Sequence, residues 1–312
     1  MFCIIAFIVL SILGIFSASN RQLAREAMDC VFRRVTFRPC NTGFDEKMKA
    51  KILGFVITRS EGGARFLNKY FEVIAWIFFV LLTVSSVMAV RGVYLYYTTG
   101  NCNGVNNSGF CVFDPKNQNN QVTAVNAVCR PKDAGDDFLT LEGVDLTGFP
   151  VLDNSSSEEI VFIGCYHCEY TRKTYPLIRK LVDRFQTDMV FLHYPVKEST
   201  DTLSRVGFCA NKEDPAKYWA MNDLLFTGEA ARLDDPATLD GILNEAGLDS
   251  RSIRACMAEP DTESTVQAML KEVVKTQFYG TPTIFIKDEV LVGPKPFRVY
   301  AIALEGLFYW LK

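Results

Sequence analysis

The stretch VFIGCYHCEYTRK, Val161–Lys173, decides the fold. An apolar run leads straight into two cysteines separated by two residues, and a helix-like segment follows at once. A cysteine pair with this spacing serves as a redox centre, as half of a zinc site or as a structural staple. Zinc needs two further ligands at suitable spacing. The chain holds no second C-x-x-C, and its two histidines are His167, inside the motif, and His193, on a predicted strand. The redox reading leads, with zinc and staple as the alternatives.

The flanks place the motif. EIVFIG, from Glu159, reads as a short buried strand. EYTRKTYPLIRKLVDRF reads as an amphipathic helix with Tyr170, Tyr175, Ile178, Leu181, Val182 and Phe185 on one side. Pro176 is expected to kink it or to end its first turns. DMVFLHYPV is the next strand. Cys165 then sits where a strand ends and a helix starts, so the helix N–H groups and dipole stabilise an anion there. The thiolate is the reactive form of cysteine. On this reading Cys165 is the nucleophile. Cys168, one turn into the helix, is the more buried and less acidic resolving thiol. His167, between them, adds a positive charge or a donor to the reduced form, which makes the disulfide a stronger oxidant.

A second motif lies at YGTPTIFIKDEVLVG, Tyr279–Gly293, which reads as strand, turn, strand with Thr281-Pro282 just before TIFI. With it the chain resembles the thioredoxin superfamily, and within it the DsbA-like thiol–disulfide oxidoreductases, from about Phe149 to Lys312. The resemblance implies an α/β thioredoxin fold with an inserted α-helical domain at about 197–277, where GFCANKEDPAKYWAMNDLLF supplies its first part. It implies that Pro282 is a cis-proline packed against the C-x-x-C, that Thr281 before it presents backbone groups to a substrate peptide, and that Glu159 is a buried base for Cys168. A solvated carboxylate at a strand start is the alternative for Glu159. Three positions depart from the family pattern: Gly164 replaces an aromatic, Glu169 replaces a proline, and Tyr166-His167 replaces Pro-His. These leave the redox potential open.

The N-terminal 98 residues read as a membrane region. Met1–Ser19 is uncharged, with an apolar core of about 16–18 residues, short for a spanning helix. It lacks the positive n-region and cleavage site of a signal peptide, so an uncleaved first span is expected. The second span, about 73–97, is uncharged from Val73 to Val90 and carries Trp76, Tyr94, Tyr96 and Tyr97 near its ends, as interfacial aromatics sit. The loop 20–72 between them holds 11 Lys and Arg residues. Positive charge stays inside, so this loop is expected in the cytoplasm and everything after about Tyr97 outside. Cys30 and Cys40 in the loop are expected as reduced packing or interface residues.

Residues 99–148 are rich in Asn, Gly and Asp and read as a loosely built extracytoplasmic tether. Asn106 and Asn154 stand in glycosylation acceptor sequons. The outer part holds seven of the chain's ten cysteines: Cys102, Cys111, Cys129, Cys165, Cys168, Cys209 and Cys256. Their odd number leaves at least one thiol free, intermolecular or in a reactive pair. Cys209 and Cys256 are a candidate staple of the helical insert, a pairing the sequence leaves open. A net charge of −3 makes no case for nucleic acid.

The expected function is a membrane-anchored, outward-facing oxidoreductase whose Cys165–Cys168 disulfide oxidises thiols of exported proteins. It would need no cofactor and no metal. Its partners would be exported thiols and disulfides, membrane lipid, and a membrane redox partner, such as a quinone-linked oxidase, for recycling. The alternatives are a disulfide reductase or isomerase, and a non-catalytic tethered binding module with structural cysteines.

Overall fold

The computed structural model describes residues 18–36, 44–58, 60–125, 138–197 and 201–311. The chain divides into two compact units, Met1–Arg91 and Gly92–Lys312.

The first unit is helical. It contains α1 (Ala18–Val35), α2 (Phe44–Ile57) and most of α3 (Glu61–Thr99). Helix α3 starts twelve residues before the expected span and has 39 residues. At 1.5 Å per residue it is about 58 Å long, against a hydrocarbon core of about 30 Å. Trp76, Phe78, Leu81, Val84 and Met88 are exposed along it. It is the one helix among the described residues that is long and apolar enough to cross a membrane. The expected first span falls outside the described residues apart from Ala18 and Ser19, which open α1. One candidate span therefore stands among the described residues. Cys30, in α1, is buried and disulfide-bonded, which corrects the expectation of a reduced thiol. Cys40 lies outside the described residues.

The second unit is built on a five-stranded sheet with order β2-β4-β3-β6-β7. Its strands are β2 (Val151–Leu152), β3 (Glu159–Gly164), β4 (Asp188–His193), β6 (Thr283–Ile286) and β7 (Glu289–Val292). β3 and β4 pair in parallel, from Glu159 opposite Asp188 to Gly164 opposite His193. The remaining pairs, β2–β4, β3–β6 and β6–β7, are antiparallel. Successive side chains of a strand point to opposite faces. Thus Ile160 and Phe162 enter one core cluster, and Val161 and Ile163 enter another with Phe278, Phe285 and Val292. Both faces are covered, which is why β3 reads as an unbroken apolar run.

Helix α4 (Glu169–Phe185) follows the cysteine motif. It buries Thr171, Thr174, Tyr175, Ile178, Leu181 and Val182 on one side, and it continues past Pro176 to Phe185. Between β4 and β5 (Gly280–Thr281) stand five helices: α5 (Thr202–Glu213), α6 (Pro215–Thr227), α7 (Pro236–Glu245), α8 (Ser250–Met257) and α9 (Pro260–Lys275). Asp214, Asp235 and Asp249 cap α6, α7 and α8 by accepting from backbone N–H groups of the first turn. The Cys209–Cys256 disulfide joins α5 to α8. α10 (Phe297–Glu305) closes the domain, and Val299, Tyr300, Ala301 and Leu304 are buried on it. Arg298 donates to the carbonyls of Tyr96 and Tyr97 at 3.2 and 3.1 Å. A cation there satisfies orphan carbonyls at the helix C-terminus.

Residues 100–125 carry more order than their composition suggests. Cys102 and Cys111 form a disulfide. The Asp114 carboxylate accepts from the N–H groups of Gln118 and Asn119, each at 2.9 Å. Asn106 donates to Val290 O and accepts from Val292 N–H, both at 2.7 Å, along the outer edge of β7. Asparagine amides here stand in for a neighbouring strand. Both sequon asparagines are engaged in this way, since Asn154 donates to Thr187 O at 2.8 Å.

Candidate active site

Gly164 ends β3, and the chain turns through Cys165–Cys168 into α4. A Cβ at Gly164 would lie 2.6 Å from Thr171 Cγ2 and 3.0 Å from Phe191 Cε2. The position has no room for the aromatic residue of the family pattern. Cys168 is the N-cap of α4 rather than a residue one turn inside it. Its N–H donates to Cys165 O at 3.1 Å, and Cys165 N–H donates to Thr171 Oγ1 at 3.4 Å. Both cysteines are thiols here, and both are fully buried.

Two elements from distant parts of the sequence meet the Cys168 sulfur. Thr123 Oγ1 lies 3.0 Å from it, and the carbonyl of Thr281 accepts from the thiol at 3.4 Å. The Thr281–Pro282 peptide bond is cis. Burial pushes the Cys168 thiol up, but hydrogen bonds led by those from Thr123 and Thr171 outweigh it and hold the thiol below its ordinary value. A buried thiol is acidic when enough donors face its anion, whatever its depth.

The residues between the cysteines are anchored to the helical insert. Tyr166 is fully buried, and its hydroxyl donates to Asn222 Oδ1 on α6 at 2.6 Å. Its ring packs on His193 and Phe226, with centroids at 4.5 and 4.8 Å. His167 is 13% exposed, and its Nε2 lies 3.3 Å from the carboxylate of Asp234, in the insert just before α7. Arg172 donates to Tyr166 O at 3.0 Å, to Leu225 O at 2.9 Å and to Gly228 O, joining the motif to the C-terminal end of α6.

The fold thus brings together Cys165, Cys168, Thr281 and Pro282, with His167 at the edge beside Asp234. It does not bring Glu159 to the sulfurs. Glu159 is exposed at the first residue of β3, and five strand steps of about 3.3 Å set it roughly 16 Å from Gly164. Burial and the neighbouring Asp188 raise its carboxyl above the ordinary value. Its position matches the solvated carboxylate of the alternative reading.

Sequence reasoning missed four contributors: Thr123, Thr171, Arg172 and Asp234. Thr171 had a signal, since the third residue after an N-cap is where a side chain reaches back towards the cap. Arg172, one residue on, had a weaker one. Thr123 and Asp234 had no local signal at all. Among the described residues, no cluster of His, Cys, Asp and Glu is arranged to hold a metal ion.

A protein-family match agrees with this architecture. Residues 169–305 match the family model of the DSBA-like thioredoxin domain, beginning directly after Cys168. The catalytic domain of Proteus mirabilis ScsC is similar at 21% identity, over 53% of this chain and 90% of that one, with a TM-score of 0.45. The thiol-disulfide exchange protein α-DsbA2 of Wolbachia pipientis is similar at 20% identity, over 52% and 88%, with a TM-score of 0.46. Oxidised BdbD of Bacillus subtilis is similar at 20% identity, over 50% and 89%, with a TM-score of 0.42. Among curated proteins none matches. With the sheet order, the helical insert between β4 and β5 and the family match in agreement, the C-terminal part of the chain is a DSBA-like thioredoxin domain.

Proposed function

We propose that the chain is a membrane-anchored thiol–disulfide oxidoreductase whose Cys165–Cys168 disulfide oxidises thiols of exported proteins. DsbA-like domains work through a redox-active disulfide and use no external cofactor. The observation that carries the reading is the geometry of the pair: two buried thiols at the start of α4, with the Thr123 hydroxyl 3.0 Å from Cys168 Sγ and the cis Thr281–Pro282 bond beside it.

A substrate thiolate attacks Cys165 Sγ, the Cys165–Cys168 bond breaks, and Cys168 leaves as a thiolate. A second substrate thiolate then attacks the substrate sulfur of the mixed disulfide and releases Cys165. Two substrate thiols lose two electrons and two protons, and the cysteine pair gains the electrons. A leaving thiol of lower pKa leaves faster, and a stabilised reduced form makes a stronger oxidant. The stabilised reduced form favours the oxidase over the reductase or isomerase. The pair is re-oxidised by a partner outside the chain, of the quinone-linked membrane class.

Helix α3 supplies the anchor in this reading, with lipid around its exposed apolar side chains. The disulfides Cys102–Cys111 and Cys209–Cys256 support an oxidising surrounding for the second unit. Positive charge favours a cytoplasmic 20–72 segment, and the disulfide at Cys30 is the observation against it.

The test has two arms. Equilibration with a glutathione redox buffer measures the reduction potential of the pair; a value near or below that of thioredoxin, about −270 mV, would replace the oxidase by a reductase. In the second arm Cys165→Ser abolishes disulfide transfer, whereas Cys168→Ser accumulates mixed disulfides. Full transfer by both variants would leave only the tethered binding module.

A further inference from the structure

Segment 120–125 lies along the sulfur-bearing side of the second unit. Its strand β1 (Thr123–Ala124) pairs antiparallel with β5, Thr123 opposite Thr281 and Ala124 opposite Gly280. Val125 N–H donates to Tyr279 O at 3.0 Å. Thr123 Oγ1 lies 3.0 Å from Cys168 Sγ. The approach is so close that it needs glycine on the other side. A Cβ on Gly280 would meet Val122 Cγ2 at 2.7 Å and Thr123 O at 2.9 Å. At Gly293, with φ +82°, it would meet Asn120 C and Gln121 O at 2.9 Å. The buried Lys295 ammonium holds the Asn120 side chain at the start of the segment.

The segment covers Cys168 Sγ and the backbone edge beside it, next to the Cys165 sulfur that a substrate must attack. An attacking substrate sulfur has to reach bonding distance of a cysteine that is fully buried. The backbone edge at 279–281 reaches the sulfurs, since Thr281 O accepts from Cys168, and it takes an extended segment in antiparallel register. An extended polypeptide delivering a thiol here would make the same pairing.

We propose that segment 121–125 is a strap: an intramolecular occupant of the edge on which substrate backbones dock, displaced before a thiol reaches Cys165–Cys168. The proposal rests on the redox reading for the identity of the displacing partner, an extended thiol-bearing polypeptide. Strand exchanges for strand, so the backbone hydrogen bonds nearly cancel. The strap holds an advantage because it is tethered, at an effective concentration of roughly millimolar. A substrate's apparent affinity falls by the fraction of time the edge is open. A two-residue strand with few hydrogen bonds opens locally without unfolding its domain. The device therefore restrains the reactive pair without disabling it.

The test uses the full chain in lipid nanodiscs, reduced, with alkylation of Cys165 and Cys168 by N-ethylmaleimide followed by mass mapping. Val125→Pro removes the N–H donated to Tyr279 O. Alkylation is expected to be about tenfold faster in Val125→Pro, the worth of one backbone hydrogen bond. A synthetic peptide of residues 119–125 is expected to slow it again. Equal rates in the two chains, or a peptide without effect, would overturn the strap. A second measurement does not depend on the variant folding. In the Cys168→Ser chain, a cysteine-containing peptide trapped on Cys165 is expected to speed hydrogen exchange at 123–125, and unchanged exchange overturns the proposal. Faster alkylation of Val125→Pro, with neither chain oxidising a reduced peptide, would keep the strap and remove the redox reading. Equal alkylation with rapid oxidation by both would do the reverse.

Discussion

Thr123→Val isolates what the strap does to the thiol from what it does to access. Valine keeps the branched shape that suits a strand, so the pairing with Thr281 is expected to survive. What is lost is the hydroxyl 3.0 Å from Cys168 Sγ. Burial works against the thiolate at this site, and the Thr123 hydroxyl heads the groups that overcome it, ahead of Thr171 and Thr281. A hydrogen bond to a charged group is worth about 1.5–3 kcal/mol. One pKa unit is about 1.36 kcal/mol. The Cys168 thiol is therefore expected to rise by roughly one to two units, and the wild-type midpoint to lie below the ordinary thiol value. For a two-electron couple about 1.4 kcal/mol is 30 mV, so the reduction potential is expected to fall by about 30–60 mV wherever the thiolate is populated. The assay is ultraviolet thiolate absorbance against pH in the Cys165→Ser chain, with the Cys165→Ser/Cys168→Ser chain as the blank. The potential is read separately by glutathione equilibration of the otherwise native chain. A midpoint that does not move, with β1 still protected from hydrogen exchange, would refute the reasoning that Thr123 stabilises the anion.

Arg172→Met removes the donors to Tyr166 O, Leu225 O and Gly228 O while keeping a flexible apolar stem. Partly buried carbonyls left without donors cost about 1–3 kcal/mol in all, and a domain of this size loses about 2–4 °C per kcal/mol, so thermal unfolding is expected to fall by several degrees; an unchanged transition would show that the clamp is unimportant. Topology is tested by cysteine introduction in intact cells. An impermeant maleimide is expected to label Asn107→Cys and not Ser60→Cys, and the opposite pattern overturns the charge-based orientation in favour of what the Cys30 disulfide indicates.

The sequence carried the sheet and the motif because both are local. The unbroken apolar run in EIVFIG and the spacing of Tyr175, Ile178, Leu181 and Val182 are set by which faces are covered, and the structure buries those apolar residues. The Cys209–Cys256 bridge was visible as a candidate and is formed. The acidity of Cys168 was not legible, since depth along a helix says nothing about donors arriving from other elements. The strap was hidden for a related reason. VTAV is too short to announce a strand, and its partner is a two-residue edge far along the chain. The Asn-rich segment misled because asparagine signals a turn when its amide faces water. Asn106 and Asn119 instead turn their amides to backbone groups at 2.7 Å, Asn106 to β7 and Asn119 to Gly100. Gly280 and Gly293 were the surviving traces, glycines kept where another backbone presses close.

Covering the sulfurs and stabilising Cys168 are done by the same residue, and the strap proposal links them in time. While the strap is docked, Thr123 faces Cys168 and favours the reduced pair. When a substrate strand takes the edge, that hydroxyl leaves with the strap, and the mixed disulfide forms without its help. Release of the oxidised product frees the edge, and the strap returns to a newly reduced Cys168 whose anion it stabilises. The thiolate stabilisation is then gained at the end of the turnover rather than at its start, and it opposes the return of the product. Recycling needs the edge a second time, because the oxidant's own disulfide must also reach a buried sulfur. A strap that favours the reduced chain therefore restrains re-oxidation as well as substrate attack. An oxidant that docks through its own extended segment overcomes that restraint, whereas one that offers only a small disulfide does not.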